Sequence, residues 1–116
     1  MSVRMTVYAY TTELERVRKF YGRALEIEPA FRAGNWLPFK LAGGIFALHA
    51  AGSDAAADIR GFKLSFEVDD IEIAIVRWEA QGAQVLRGVA DEAFGRRAFL
   101  ADPDGRQVEI VQHEAP

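Results

Sequence analysis

The chain carries one short pattern in each of its halves, and this repeat limits the possible folds more than any single residue does. In the first copy Thr12 stands three residues before Glu15, and in the second Asp69 stands three residues before Glu72. This spacing is typical of a capping box, in which the first side chain accepts a backbone hydrogen bond and the Glu reaches back to the cap. Apolar residues then recur at helical spacing in both copies. We therefore predict two equivalent units with one helix each.

The size and composition of the chain restrict its class. With 116 residues and 50% hydrophobic content it fits one globular domain, so two units must share an interface to be stable. A formal net charge of −3 argues against nucleic-acid binding, which normally needs a basic face. The absence of cysteine excludes disulfides and thiolate sites, and no apolar run is long enough to cross a bilayer. We expect a cytoplasmic protein with no nucleic-acid or membrane partner.

Alternating apolar and polar residues predict the strands, and helical periodicity predicts the helices. The order strand, helix and then three strands is expected in both halves. Pro38 predicts an edge strand or a bulge, because proline cannot donate to a sheet ladder. Strands are predicted at 3–10, 36–41, 45–49, 62–68, 83–87, 96–101 and 106–111, with a first helix that ends near 22–25 and a second helix at 70–81. The predicted organisation is module 1 at about 1–52, a linker at about 53–60 and module 2 at about 61–113.

The same alternation predicts which side chains point away from the helices. A sheet with one helix is covered on one face only, so its other face meets a partner or encloses a space. The residues predicted on that face are too polar and aromatic for a dry core and favour a ligand chamber. They are Arg4, Thr6, Tyr8, Tyr10, Ala47, His49, Lys63, Ser65, Glu67, Gln107, Glu109 and Val111.

Three segments closely resemble the vicinal oxygen chelate superfamily, which includes glyoxalases, bleomycin resistance proteins and extradiol dioxygenases. They are FYGRAL at 20–25, FEVDDI at 66–71 and FLADPDGRQVEI at 99–110. The resemblance covers nearly the whole chain. It implies an α+β fold in which two βαβββ modules pair into a cupped mixed sheet within a single domain. It also implies a homodimer, and it leaves open whether the modules pair within one chain or swap between chains.

The resemblance further implies four positions at which members that act as enzymes hold a divalent metal. Of these four residues only Glu109 has a metal-binding side chain, because a Lys ammonium has no lone pair and repels a cation. We therefore predict no metal and no other cofactor. The four positions are Thr6, Ala47, Lys63 and Glu109, and a displaced site built from His49, Glu67 and Glu109 is the alternative.

The candidate ligand-binding residues each have a structural alternative. Lys63 and Glu109 either orient a polar ligand, with Lys63 toward an anionic group, or form an ion pair that serves only the structure. The aromatic candidates either form flat walls for a planar ligand or pack as ordinary core. Arg96 and Arg97 are either a contact at the rim of the chamber or a solvated pair. The predicted ligand-binding set is Thr6, Tyr8, Tyr10, Trp36, Phe39, His49, Lys63 and Glu109.

Two functions follow from this set. The first is a metal-free protein that sequesters or senses a small, partly aromatic ligand, in the manner of antibiotic-binding relatives. The second is an enzyme, either a metal-dependent lyase, isomerase or dioxygenase with displaced ligands, or a metal-free acid/base catalyst that uses Glu109 with Tyr8 or Tyr10. The missing metal ligands favour the binding protein.

Overall fold

The structure, a computed structural model, describes residues 3–51 and 61–114. These residues form seven β-strands and two α-helices. The chain divides into two compact units. The N-terminal unit is Thr6–Phe62, and the C-terminal unit combines Met1–Met5 with Lys63–Pro116. The linker predicted at about 53–60 lies outside the described residues.

The N-terminal unit is built on strands β1 (Arg4–Thr11, from Thr6 onward), β2 (Trp36–Leu41) and β3 (Gly44–Ala50), with helix α1 (Leu14–Leu25) between the first two. Strand β3 pairs in parallel with β1 and antiparallel with β2. In this sheet β2 is an edge strand, as Pro38 predicts. Among the described residues this unit therefore has three strands, one fewer than the repeat predicts.

Helix α1 covers one face of this sheet because its apolar side chains recur at helical spacing. Leu14, Val17 and Tyr21 pack against a core of strand residues on that face. The strand residues of this core are Ala9, Leu37, Phe39 and Leu48.

The capping box predicted at Thr12 is wrong. Helix α1 begins after Glu13, whose side chain makes no cap hydrogen bond. The hydroxyl of Thr11 instead accepts from the backbone N–H of Glu13 at 3.0 Å. Glu15 binds Arg18 at 3.0 Å and does not reach back toward the helix start. A side chain one position earlier therefore satisfies the backbone ahead of this helix.

The C-terminal unit contains β4 (Lys63–Glu67), α2 (Ile71–Ala80), β5 (Gln84–Glu92), β6 (Gly95–Ala101) and β7 (Gln107–His113). Its strand order is β4-β7-β6-β5. The β4–β7 pair is parallel and the other two pairs are antiparallel. Strand β5 is longer than the predicted 83–87, because two register shifts along it admit the extra residues around Gly88.

Helix α2 packs on one face of this second sheet. Ile71, Ala74 and Ile75 are buried against Val68 and against strand residues of β6 and β7. Those strand residues are Ala98, Leu100 and Ile110.

The start of α2 lies one residue later than the predicted cap at Asp69. The carboxylate of Asp70 accepts from the backbone N–H of Ile73 at 3.1 Å. The side chain of Gln112 accepts from the N–H of Ile71 at 2.8 Å, so β7 supplies a second cap. Glu72 binds Arg96 at 2.8 Å and does not return to the cap.

Each unit therefore places one helix on one face of a mixed sheet, and the predicted α+β class is confirmed. Neither described helix is long and apolar enough to cross a membrane.

Candidate functional site

Four aromatic side chains gather on the face of the N-terminal sheet that points away from α1. Trp36, His49 and Tyr10 are register partners across β2, β3 and β1, and partners in register share a face. The ring of Tyr8 lies 5.8 Å from that of Tyr10 and 5.6 Å from that of Trp36, between centroids. The His49 ring lies 5.0 Å from Tyr10. We call these four residues the aromatic cluster, and the sequence predicted all of them.

The aromatic cluster offers both ring surface and a polar atom. Nδ1 of His49 lies 2.8 Å from the backbone oxygen of Ala50. Because a carbonyl oxygen only accepts, Nδ1 must donate, and Nε2 of the neutral ring is then an acceptor. Tyr10, Trp36 and His49 are half-buried, whereas Tyr8 is buried. This cluster can therefore pack against a flat ligand and accept one hydrogen bond from it.

Phe39 and Thr6 occupy different places from the aromatic cluster. Phe39 is fully buried on the helix-covered face, where its ring stacks 6.2 Å from that of Phe46. It therefore serves the core of the N-terminal unit, and we leave it out of the proposed site. Thr6 is half-buried, pairs with Ile45 and lies two residues before Tyr8 on the same side of β1.

Four chemically different side chains line up on the face of the C-terminal sheet that points away from α2. Ser65 pairs with Glu109, Glu109 pairs with Phe99, and Phe99 pairs with Arg87. We call these four residues the cross-strand row. It sets a hydroxyl, a carboxyl, an aromatic ring and a guanidinium on neighbouring strands, about 4.8 Å apart.

Glu109 is the most enclosed acidic group of this face. Its side chain is 12% exposed, accepts a hydrogen bond from Ser65 and lies 3.6 Å from a guanidinium nitrogen of Arg97. Burial raises the pKa of the Glu109 carboxyl above its ordinary value, and the contacts with Ser65 and Arg97 oppose this rise only in part. Glu109 therefore keeps its proton to a higher pH than an exposed Glu and can act as a donor as well as an acceptor.

Arg97 is held over this face from several sides. Its guanidinium lies 3.1 Å from the carboxylate of Glu92, 5.2 Å from the ring centre of Phe99 and 5.9 Å from that of Phe94. Arg96 points the other way and binds Glu72 of α2. The alternation thus sends only Arg97 toward the face with Glu109, and the two arginines are not a solvated pair.

The ion pair between Lys63 and Glu109, one of the two alternatives above, is wrong. Arg97 takes the place of Lys63 as the partner of Glu109. Lys63 is half-buried at the start of β4 on the side of Ser65. Within residues 3–51 and 61–114, no ion pair within 4.0 Å involves it. Its ammonium group is therefore not neutralised by a carboxylate of the described chain.

Glu67, on the same face, has cationic neighbours of its own. Its carboxylate lies 2.7 Å from Arg4 and 3.9 Å from Nε2 of His113. The hydrogen bond from Arg4 lowers the pKa of Glu67 below its ordinary value. Glu67 and Glu109 thus have opposite pKa shifts, although both lie on the face away from α2.

The side chains at the four metal positions do not fit a metal ion. Thr6, Ala47 and Lys63 supply no carboxylate or imidazole, so Glu109 is the only strong donor among the four. Across the described part of the chain, no group of three or more His, Cys, Asp and Glu residues could hold a metal. The displaced site of His49, Glu67 and Glu109 is not assembled there. That the protein works without a metal stays a prediction.

Arg87 and Phe99 of the cross-strand row were not among the residues predicted from the sequence. The pairing of Ala101 with Gln107 sets the register of the last hairpin, and continuing it by two residues places Phe99 opposite Glu109. The turn at 102–105, which fixes this register, was therefore the sequence feature from which Phe99 could have been placed. Arg87 could not be placed in the same way, because the register shifts in β5 interrupt the alternation on both sides of it.

A separate depression of about 540 Å³ lies on the outer surface of α1. None of the predicted ligand-binding residues lines it. All of its lining residues belong to one helix, so we do not assign the site to it. They are Arg16, Lys19, Phe20, Arg23 and Ala24.

Comparison with known proteins decides the family. The sequence profile of the glyoxalase-like domain matches residues 5–111. The chain belongs to this family. The resemblance to the vicinal oxygen chelate superfamily and its fold is thereby confirmed. No curated protein sequence matches this glyoxalase-like chain significantly.

Solved structures share the glyoxalase-like fold at low sequence identity. A Legionella pneumophila protein described as an NAD-dependent benzaldehyde dehydrogenase has a TM-score of 0.76 and 20% identity, over 95% of this chain and 99% of that chain. A glyoxalase/bleomycin resistance protein/dioxygenase superfamily member from Vibrio splendidus has a TM-score of 0.67 and 16% identity, over 96% of this chain and 99% of that chain. Methylmalonyl-CoA epimerase from Streptomyces coelicolor has a TM-score of 0.62 and 17% identity, over 97% of this chain and 96% of that chain. At such identities the likeness shows the fold and not the reaction.

Proposed function

We propose that this glyoxalase-like chain is a metal-free binding protein that sequesters or senses a small, partly aromatic ligand. The observation that carries the proposal is the aromatic cluster. Its four neighbouring rings lie on a single sheet face, and three of them are half-buried, so they form a surface suited to a flat ligand. Thr6, on the same side of β1 as Tyr8, is the proposed contact for a polar group of this ligand. Lys63 and Glu109 belong to the C-terminal unit and stay predicted polar contacts of a ligand on that unit.

The donor chemistry supports binding without a metal. Lys63 repels a cation, and Glu109 is already engaged by Ser65 and Arg97. A metal at Glu109 would have to displace Arg97 and find further donors that the described residues do not bring together.

The proposal includes a single domain, a homodimer and a cytoplasmic location, with no nucleic-acid or membrane partner. The dimer and the single domain rest on the family. The charge of −3 argues against a nucleic-acid partner, the absence of cysteine fits the cytoplasm, and the lack of a long apolar run argues against a membrane partner. Light scattering tests the assembly, and a molar mass equal to that of one chain would contradict the dimer.

The test of binding is a thermal-shift screen of aromatic metabolites and aromatic antibiotics, followed by calorimetry on every compound that raises the Tm. A ligand that binds only the folded chain must stabilise it. We expect Tyr10→Leu and Trp36→Leu to weaken binding about tenfold, because each removes a ring from the aromatic cluster. The matched control is Phe20→Leu on α1, where the ring is 63% exposed and outside the cluster. Equal affinities for all three variants would contradict the proposal.

A metal titration completes this test. Purified protein is assayed for bound metal and then titrated with Mn²⁺, Ni²⁺, Zn²⁺ and Fe²⁺ while the Tm is followed. We expect no stoichiometric metal and no large stabilisation. A metal that binds at one equivalent and raises the Tm strongly would overturn the metal-free proposal.

The buried Glu109 favours one second candidate, a metal-free acid/base catalyst. Burial raises the pKa of the Glu109 carboxyl, so this group releases its proton at a higher pH than an exposed Glu does and is suited to proton transfer. The partner predicted from the sequence is Tyr8 or Tyr10. Here Glu109→Gln would abolish turnover of a ligand found in the screen while leaving its affinity within a few fold. Unchanged concentrations of every bound ligand over long incubation would exclude this candidate.

A further inference from the structure

We propose that the face of the C-terminal sheet away from α2 selects a planar aromatic carboxylate. Arg87 binds the carboxylate, Phe99 contacts the ring, and Glu109 with Ser65 binds a hydroxyl or similar polar group at the opposite end. This inference goes beyond the proposed function, because it assigns a ligand class to the cross-strand row and does not involve the aromatic cluster.

The register of the sheet sets the length of the ligand. Arg87, Phe99 and Glu109 are direct neighbours on β5, β6 and β7. Adjacent strands lie about 4.8 Å apart, so the backbone at Arg87 is about 10 Å from that at Glu109. An aromatic ring with an anionic group at one end and a hydroxyl at the other matches this order of cation, ring and carboxyl. The middle position of Phe99 requires the ring to be central and not terminal.

The two arginines that flank Phe99 differ in their partners. Arg97 is engaged by the carboxylates of Glu92 and Glu109. Arg87 is exposed and lies 6.0 Å from the ring centre of Phe99. In the described ranges 3–51 and 61–114, no ion pair within 4.0 Å involves Arg87. Its planar fork of donors therefore remains available for a carboxylate, which it matches in a bidentate manner.

The charges of this face also fix the orientation of the ligand. A carboxylate near Glu109 would meet a second acidic group, whereas a hydroxyl there can donate to the ionised carboxyl or accept from the protonated one. A cationic ligand is disfavoured at the other end, because Arg87 and Arg97 both lie beside Phe99. The cross-strand row therefore distinguishes the two ends of a para-substituted ring, with the carboxylate at Arg87 and the hydroxyl at Glu109.

The experiment compares three compounds that share one ring and differ in charge: 4-hydroxybenzoate, 4-hydroxybenzamide and 4-hydroxybenzylamine. Calorimetry with the full chain at neutral pH gives each Kd. We expect the carboxylate to bind about tenfold more tightly than the amide, because an ionic hydrogen-bond pair exceeds a neutral one by roughly this factor. The amine is expected to bind most weakly.

Two substitutions at one position separate charge from geometry. We expect Arg87→Met to weaken binding of 4-hydroxybenzoate about tenfold and to leave binding of 4-hydroxybenzamide nearly unchanged. Arg87→Lys keeps the charge and loses the bidentate fork, so its Kd should fall between the two. The matched control is Arg23→Met, which removes the same charge on α1. The far-UV spectrum and Tm of each variant show whether it is folded.

The possible results separate this inference from the proposed function. Equal binding of the carboxylate and the amide, or equal effects of Arg87→Met and Arg23→Met, would overturn the carboxylate inference and leave a metal-free aromatic-binding protein in place. If none of the three compounds binds at millimolar concentration, the inference is also overturned. The proposed function is tested separately, by the broader aromatic screen, by the Tyr10 and Trp36 variants and by the metal titration.

Discussion

A guanidinium nitrogen of Arg97 lies 3.6 Å from the carboxylate of Glu109, although the two residues are not register partners. Arg97 is paired with Val111, and it reaches Glu109 by leaning along β7 over the ring of Phe99. The nearest cation to the buried carboxyl therefore arrives diagonally from the neighbouring strand. The charge of Glu109 on β7 therefore depends on Arg97 of β6, which can be substituted without altering β7.

The first prediction concerns pH and Glu109. Burial raises the pKa of this carboxyl in the folded chain above its value in the unfolded chain. Between those two values the folded protein holds more protons, so the free energy of unfolding falls as the pH rises. Glu109→Gln removes this loss, because Gln does not ionise. We therefore expect the free energy of unfolding of the variant, relative to that of wild type, to increase with pH and then to level off. Urea unfolding between about pH 4 and pH 8 measures this difference. Parallel curves would contradict the raised pKa.

The second prediction concerns Arg97. Arg97→Met leaves the ionised Glu109 enclosed without its cation, so we expect the free energy of unfolding to fall by about 1–3 kcal/mol at neutral pH and by less in acid. The control is Arg96→Met, which breaks only the exposed contacts with Glu72 and Asp91 and should destabilise the chain less than Arg97→Met does. Urea unfolding measures both. Similar losses at every pH would indicate that Arg97 stabilises by packing on Phe94 and Phe99 alone.

The third prediction concerns Gly95 at the start of β6. Its φ angle is +143°, and a Cβ at this position would overlap the backbone oxygen of Gln112. Because that obstacle is backbone and cannot rotate away, we expect Gly95→Ala to lower the free energy of unfolding by more than about 2 kcal/mol. Gly43→Ala is the control, since nothing lies within 4 Å of a Cβ there. Thermal and urea unfolding compare the two.

The fourth prediction separates the two aspartates ahead of α2. Asp70 caps Ile73, so Asp70→Ala should lower the free energy of unfolding by about 1 kcal/mol. Asp69→Ala alters an exposed neighbour that is not the cap and should be close to neutral. If Asp69→Ala proves the more damaging in urea unfolding, then the capping box read from the sequence is right and the observed cap is wrong.

Much of the fold was predictable from the sequence because periodicity decides it. The strand predicted at 36–41 has those bounds in the structure, since turns at 34–35 and 42–43 delimit it. The helix starts were not predictable in detail. Thr11 and Asp70 compete with the predicted caps Thr12 and Asp69, and the glutamine that completes the second cap comes from β7, far along the chain. Local spacing cannot reveal a partner brought in by the tertiary fold.

The site was predictable where alternation is unbroken. Tyr8, Tyr10 and His49 share a face by simple period-two counting, and the structure brings their rings together with Trp36. The partner of Glu109 was not predictable, because a long Arg side chain can reach across a register position whereas counting assigns only direct neighbours. Lys63 was therefore weighed as that partner in place of Arg97.

The cross-strand row has an evolutionary consequence. Its four members come from four different strands, and their side chains point away from the face on which α2 packs. Replacing any one of them changes a single chemical group of the proposed ligand surface and leaves the helix packing untouched. Descendants of such a chain can acquire new ligand preferences by successive single substitutions, with little risk to folding at each step.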